Sequence, residues 1–301
     1  MTSTPTSHPT PPATGYTTLM TPTQLMALQA SPTPPLVFDC SFDLMKPSAG
    51  DGLHAEARIP GAVYMHLDRD LSAGADDAAA SGGRHPLPSR EAFAQRLRQR
   101  GLRAGQQVVV YDRQGTQYCG RLWWMLRWCG HAHVAVLDGG LPAWQAAGGA
   151  VAHGEPSHTP VPVGDFALQA PLVAVRSAQQ LVQHLGHPQQ CVVDARAAAR
   201  YRGEVEPLDP VAGHIPGARN RPFADNFLPD GRFKPAQQLR AEWLNVLGPH
   251  QPAHVVHHCG SGITAIPNLL AMEIAGLGST ALFPGSWSEW CNTPGMPCAQ
   301  G

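Results

Sequence analysis

Two spacings of apolar residues alternate along the chain. Leu36–Asp39, Val108–Tyr111, Val134–Leu137, Cys191–Asp194 and His254–His258 are short apolar or β-branched runs bounded by turn residues. They are too brief for helices and predict strands. Between them the period lengthens. Arg90–Arg100 carries Phe93 and Leu97 four apart with charges between, and Arg121–Trp128 puts Leu122, Met125 and Leu126 on one face. Ser177–Leu185 and Ala236–Val246 are amphipathic, and Asn268–Ala275 is an apolar helix. Strands alternating with helices predict an α/β fold built on small, mostly parallel sheets with helices on their faces.

The pattern is written twice. Leu36–Asp39 recurs as Cys191–Asp194, Ile59-Pro-Gly-Ala62 as Ile215-Pro-Gly-Ala218, and Val108–Asp112 as His254–Cys259. Leu137-Asp-Gly-Gly-Leu-Pro-Ala-Trp144 recurs as Phe283-Pro-Gly-Ser-Trp-Ser-Glu-Trp290. Four matches in one order predict two homologous domains that differ in loop length. The stretch from Gly148 to Pro171 is rich in Gly, Pro and His and lacks a helical period, as a linker would. The expected division is a disordered tail over residues 1–19, a first domain over 20–147, a linker over 148–171 and a second domain over 172–301. The Thr/Pro/Ser-rich start has no apolar core of a secretory signal, which places the protein in the cytoplasm by expectation.

Composition narrows the classes. A chain of 301 residues with 43% hydrophobic residues has enough apolar surface for two cores. Basic and acidic residues nearly balance, 21 against 22, so no field exists to draw in nucleic acid or an anionic membrane. No run approaches the ~18–20 apolar residues of a membrane span. The seven cysteines are odd in number, widely spaced and free of C-x-x-C pairs, which predicts free thiols rather than a zinc ribbon or a disulfide framework.

One segment carries candidate chemistry. Cys259-Gly-Ser-Gly-Ile-Thr-Ala265 lies between the strand at His254–His258 and a helix starting near Ile266. A short Gly-containing loop there can curl its backbone N–H groups inward, and such a nest favours an anion. A cysteine rooted in it is favoured as the thiolate, the nucleophilic form.

That loop, with Gly285-Ser-Trp-Ser-Glu-Trp290, resembles the active loop and C-terminal signature of the two-domain rhodanese superfamily. Gly213-His-Ile-Pro-Gly-Ala218, Arg58-Ile-Pro-Gly-Ala62, Gly83-Arg-His-Pro-Leu-Pro88 and Asp138-Gly-Gly140 match further family signatures, so the resemblance covers about residues 20 to 298. Within the superfamily the loop is similar to that of 3-mercaptopyruvate sulfurtransferases. The resemblance implies tandem rhodanese-like domains and ping-pong transfer without cofactor or metal. Cys259 would take sulfur from a small-molecule donor as a persulfide and pass it to a thiol, thioredoxin or cyanide. It further implies an anion nest formed by Gly260, Gly262, Ile263 and Thr264, with Ser261 as proton relay and Arg200 as substrate anchor. Arg202, His85 and Asp68 are weaker candidates. Asp112 stands where the second domain has Cys259 and cannot carry sulfane sulfur, so the first domain is expected to be non-catalytic.

The donor is contested within the sequence. Thiosulfate enzymes resemble one another in placing Arg and Lys after the cysteine, and this loop has neither. Mercaptopyruvate enzymes resemble one another in a second arginine nine positions after the first, and that position holds Asp209. Pro267 and Pro284 also depart from the pattern. The remaining readings are thiosulfate:cyanide transfer and a degenerate binding module. A cysteine phosphatase would need arginine at position 265, which is alanine. A metal site on His254, His257, His258 and Cys259 is opposed by the strand period, which sends His257 and His258 to opposite faces.

Overall fold

The computed structural model describes residues 15–155 and 161–301. In the first half the strands are β1 (Leu19–Met20), β2 (Leu36–Asp39), β3 (Val63–Tyr64), β4 (Val108–Tyr111) and β5 (Val134–Leu137). The second half has β6 (Ala174–Val175), β7 (Cys191–Asp194), β8 (Arg219–Asn220), β9 (Val255–His258) and β10 (Ala281–Leu282). Each set forms a parallel five-stranded sheet, in the orders β1-β5-β4-β2-β3 and β6-β10-β9-β7-β8. The two orders are the same permutation, so the duplication read from sequence is a duplication of topology. Asp39 pairs in register with Tyr111, and Asp194 with His258, so Asp112 and Cys259 are each the first residue past a central strand. Ligands of parallel α/β sheets gather at such carboxyl ends.

The helices are α1 (Pro22–Gln29), α2 (Ala49–Glu56), α3 (Arg90–Gln99), α4 (Cys119–Trp128) and α5 (Gly140–Ala146), then α6 (Ala178–Gln183), α7 (Ala198–Tyr201), α8 (Ala236–Leu247), α9 (Ile266–Ile274) and α10 (Ser286–Trp290). Local signals set their ends. Ser89 accepts from the Ala92 N–H at the start of α3, and Ser177 with Gln180 forms a capping box on α6. Leu239, Trp243 and Leu247 form the buried stripe of α8. Pro267 occupies the first turn of α9, where a missing N–H costs nothing. The helix α4 departs from its amphipathic reading: nine of its ten residues are buried, Arg121 among them. It is sandwiched between its own sheet and α9 of the other domain, with Gly120 close against Ile266.

One apolar core cluster runs through both domains, from Val108 and Trp124 to Ile266 and Leu270. The stretch between the domains is tied down where it is described. Ala152 bridges Arg58, the Gly164 N–H donates to Arg98 O, and Phe166 is buried. The expected tail needs correction at its inner end. Trp123 Nε1–H donates to Thr17 O and the Val136 N–H to Thr18 O, because these residues lead into β1 at the sheet edge. The rest of the expected tail, residues 1–14, lies outside the described residues. All seven cysteines are unpaired. Among the described residues no helix is long and apolar enough to cross a membrane.

Candidate active site

Cys259 leaves β9 buried, and the start of α10 holds its backbone. Its N–H donates to Ser286 Oγ at 3.1 Å, and its carbonyl accepts from the Trp287 N–H at 2.9 Å. The next carbonyl, that of Gly260, accepts from the Ser288 N–H. The signature around Gly285 is therefore the mould of the cysteine loop, and Ser286 adopts a positive φ of 55° to serve in it. Gly262 has φ +75°, and a Cβ there would lie 2.1 Å from Pro284 O, so only glycine fits this point of the loop.

Among the described residues the backbone N–H groups of Gly260, Ser261, Gly262, Ile263 and Thr264 have no protein acceptor. The first domain supplies the contrast. There the Asp112 carboxylate accepts from the N–H groups of Gln114, Thr116, Tyr118 and Cys119. One loop is filled by its own carboxyl group, whereas no protein group among the described residues takes the N–H donors of the other. Burial pushes the Asp112 carboxyl up, against the pull of those N–H groups. Burial also raises the thiols of Cys119 and Cys129, the latter to about 12, which suits inert core cysteines.

Residues from both domains meet at this loop around a cavity of about 230 Å³. His85 Nδ1 lies 2.8 Å from Ser261 Oγ, and His85 Nε2 lies 3.4 Å from Asp68 Oδ1. A proton on Nε2 would face the Asp68 carboxylate, which only accepts, and would leave Nδ1 to accept from the serine hydroxyl. Burial lowers the His85 pKa, with Asp68 pulling the other way, and the hydrogen bond to His85 lowers that of Asp68. Both of these candidates are thus joined to Ser261 in one chain of contacts.

Arg200, on α7, lines the cavity and is held by Glu206 at 2.6 Å, with Asp209 at 3.5 Å. Arg202 does not belong to this group. Its side chain is half exposed and pairs with Glu204, because it caps the far end of the short α7 and turns to solvent. Three arginines absent from the sequence-based set are present instead. Arg84 lines the cavity and pairs with Asp209 across the domain boundary. Its signal was visible, one position before His85 in a family signature. Arg196 also lines the cavity, holds Asp194 and Glu206, and stacks over Trp287 at 4.8 Å. Arg121 is fully buried behind the loop and donates to the carbonyls of Leu71, His85 and Gly262. Burial brings its pKa down to about 10, so it stays charged at neutral pH.

His257 and His258 do take opposite faces of β9, as the strand period predicts. His257 packs edge-on against Trp243, and burial pushes its pKa down to about 3; His258 faces Asp194. Among the described residues no three His, Cys, Asp or Glu side chains are placed to hold a metal. A larger hollow of about 750 Å³ at the edge of the first domain, near Tyr16, Gln107 and His133, is lined by no cysteine, serine or carboxylate among the described residues.

These features define a class: a tandem α/β protein in which one copy presents a cysteine in an open N–H loop and the other fills the same loop with aspartate. A family model described as a rhodanese-like domain matches residues 21–147 and again 177–293. A Pseudomonas aeruginosa protein named "Probable 3-mercaptopyruvate sulfurtransferase" is 45% identical over 94% of this chain and 98% of its own. A Mycobacterium tuberculosis protein with a provisional thiosulfate sulfurtransferase name, SseB, is 37% identical over 94% of this chain and 97% of its own. The solved 3-mercaptopyruvate sulfurtransferase from Leishmania major superposes with a TM-score of 0.80 at 28% identity, covering 95% of this chain and 78% of that one. The chain belongs to the rhodanese-like family and is a sulfurtransferase.

Proposed function

We propose that this enzyme takes sulfur from 3-mercaptopyruvate and carries it as a persulfide on Cys259. The observation that supports this reading is the chain Ser261–His85–Asp68 beside Cys259, in a loop with no basic side chain of its own. The Cys259 thiolate attacks the donor sulfur, an S–S bond forms, and the C–S bond breaks with its electron pair going to C3 as the enolate of pyruvate. The donor's own thiol proton passes through Ser261 to His85, whose transient charge Asp68 stabilises, and returns to C3. Pyruvate leaves, and the persulfide anion rests against the N–H groups of Gly260 to Thr264. An acceptor thiol, thioredoxin or cyanide then attacks the outer sulfur and restores the thiolate. Unpaired cysteines suit a reducing compartment, and the cytoplasm is the setting we propose.

Thiosulfate is the second reading, favoured by the guanidinium groups of Arg84, Arg196 and Arg200 around the cavity. Steady-state rates with each donor separate the two. We expect a kcat/KM at least tenfold higher with 3-mercaptopyruvate, with pyruvate released in step with sulfur transfer; the reverse preference would replace the donor while keeping the enzyme class.

A further inference from the structure

The resemblance asks for an arginine at position 209, and the chain has an aspartate. That carboxylate is almost fully buried, at 2% exposure, and it reaches across the domain boundary to Arg84. We propose that Arg84 replaces the missing arginine, so that Arg84 and Arg200, one from each domain, form the clamp for the donor's carboxylate. The inference rests on the mercaptopyruvate reading.

The geometry carries it in three ways. Each guanidinium is held by a buried carboxylate: Arg84 through Nη1 by Asp209, and Arg200 along its Nε and Nη2 edge by Glu206. Among the described residues the remaining nitrogens, Arg84 Nε and Nη2 and Arg200 Nη1, have no hydrogen-bond partner, and Arg84 Nη2 and Arg200 Nη1 are the two that face the cysteine loop. They converge on one point beside the nucleophile, since a Cβ on Gly260 would lie 3.0 Å from the first and 3.4 Å from the second. Two fixed guanidinium groups, each offering an N–H to one spot, suit the two oxygens of a carboxylate.

The main chain that delivers Arg84 is also fixed. The Gly82 N–H donates to Glu289 Oε2 at 3.1 Å and the Arg84 N–H to Ser288 Oγ at 3.0 Å. Gly83 has φ +85°, and a Cβ there would meet Gly285 O at 2.5 Å, so the backbone docks directly on the cysteine mould. The same docking brings His85 to Ser261.

Charge bears on the class of donor. Arg84, Arg196 and Arg200 are matched by Asp194, Glu206 and Asp209. A cluster balanced in this way suits a monocarboxylate such as a keto acid better than a dianion, which needs surplus positive charge.

The test is a charge swap, read as KM for 3-mercaptopyruvate against kcat for pyruvate release, with thermal melting alongside. Arg84→Asp should raise KM more than roughly tenfold, the loss expected for one charge-assisted contact. Arg84→Asp combined with Asp209→Arg should bring KM back to within about threefold of the parent, because it rebuilds both the ion pair and the second arginine. Arg84→Gln with Asp209→Asn, which keeps a neutral hydrogen-bonding pair, should show raised KM at a near-parental melting temperature and kcat. A parental KM in that neutral pair, or a swap no better than Arg84→Asp alone, overturns the clamp and leaves the donor reading standing. Failure of the parent enzyme to release pyruvate from 3-mercaptopyruvate overturns the donor reading and the carboxylate clamp together.

Discussion

Asp68→Asn is the most discriminating change in the proton chain, because its size follows from the geometry. Asp68 Oδ1 lies 3.4 Å from His85 Nε2, and the Asp68 side chain is 43% exposed. At that separation a charge on the imidazole is stabilised by about 1 kcal/mol in a fully water-like dielectric and by about 2 kcal/mol at half that dielectric. The exposure argues for the screened end of the scale. Loss of about 1–2 kcal/mol from the transition state slows pyruvate release by about 5–30-fold. His85→Ala removes the acceptor itself and should cost more, about 10²–10⁴-fold. The pH profile gives a second readout. Burial sets the His85 pKa below 6.5, with Asp68 partly opposing, so His85 is neutral and competent above that range and its protonation cuts the rate as pH falls. Removing Asp68 takes away the opposing pull, so the acid limb of Asp68→Asn should move to lower pH while its plateau drops. Single-turnover pyruvate release between about pH 5 and 8 measures both. An Asp68→Asn rate equal to the parent, or as low as that of His85→Ala, would refute the assigned order of the chain.

Three further outcomes follow from the packing. Gly83→Ala should lower the melting temperature and the rate together, since its Cβ meets the Gly285 carbonyl and its φ is positive; thermal melting with a rate assay checks it. Arg196→Met should destabilise the fold by about 3–5 kcal/mol in urea unfolding, because it strands the buried carboxylate of Asp194. Arg202→Ala should leave KM and kcat within twofold of the parent, as its partner is the exposed Glu204 and not the cavity.

The duplication and the position of Cys259 at the head of its loop were legible because they are carried by local signals: apolar runs that end at a strand terminus, and a glycine-containing loop that opens a helix. The short strands β1, β3, β6, β8 and β10 were not, since two residues offer no alternation to read. They exist because a neighbouring strand supplies the pairing. Arg121 was hidden for a related reason. A helix buried on nearly every side shows no polar face, so one arginine among tryptophans reads as a surface residue until three carbonyls are found around it. Arg202 failed in the opposite direction: its nearness in sequence to Arg200 suggested a shared task, but the end of α7 turns it to solvent. Asp209 was the most informative departure, because an acid where the pattern asks for a base requires a cation brought from elsewhere in the fold, and Arg84 is that cation.

In the proposed reaction sulfur rides on Cys259. The most direct measurement of this is the mass of the Cys259 peptide after the reduced protein has met 3-mercaptopyruvate and, separately, thiosulfate. The expected result is the gain of one sulfur atom on that peptide with 3-mercaptopyruvate, its loss on adding an acceptor thiol, and no gain in Cys259→Ser. Sulfur found on another of the seven cysteines, or a reduced Cys259 that gains nothing from either donor, would contradict it.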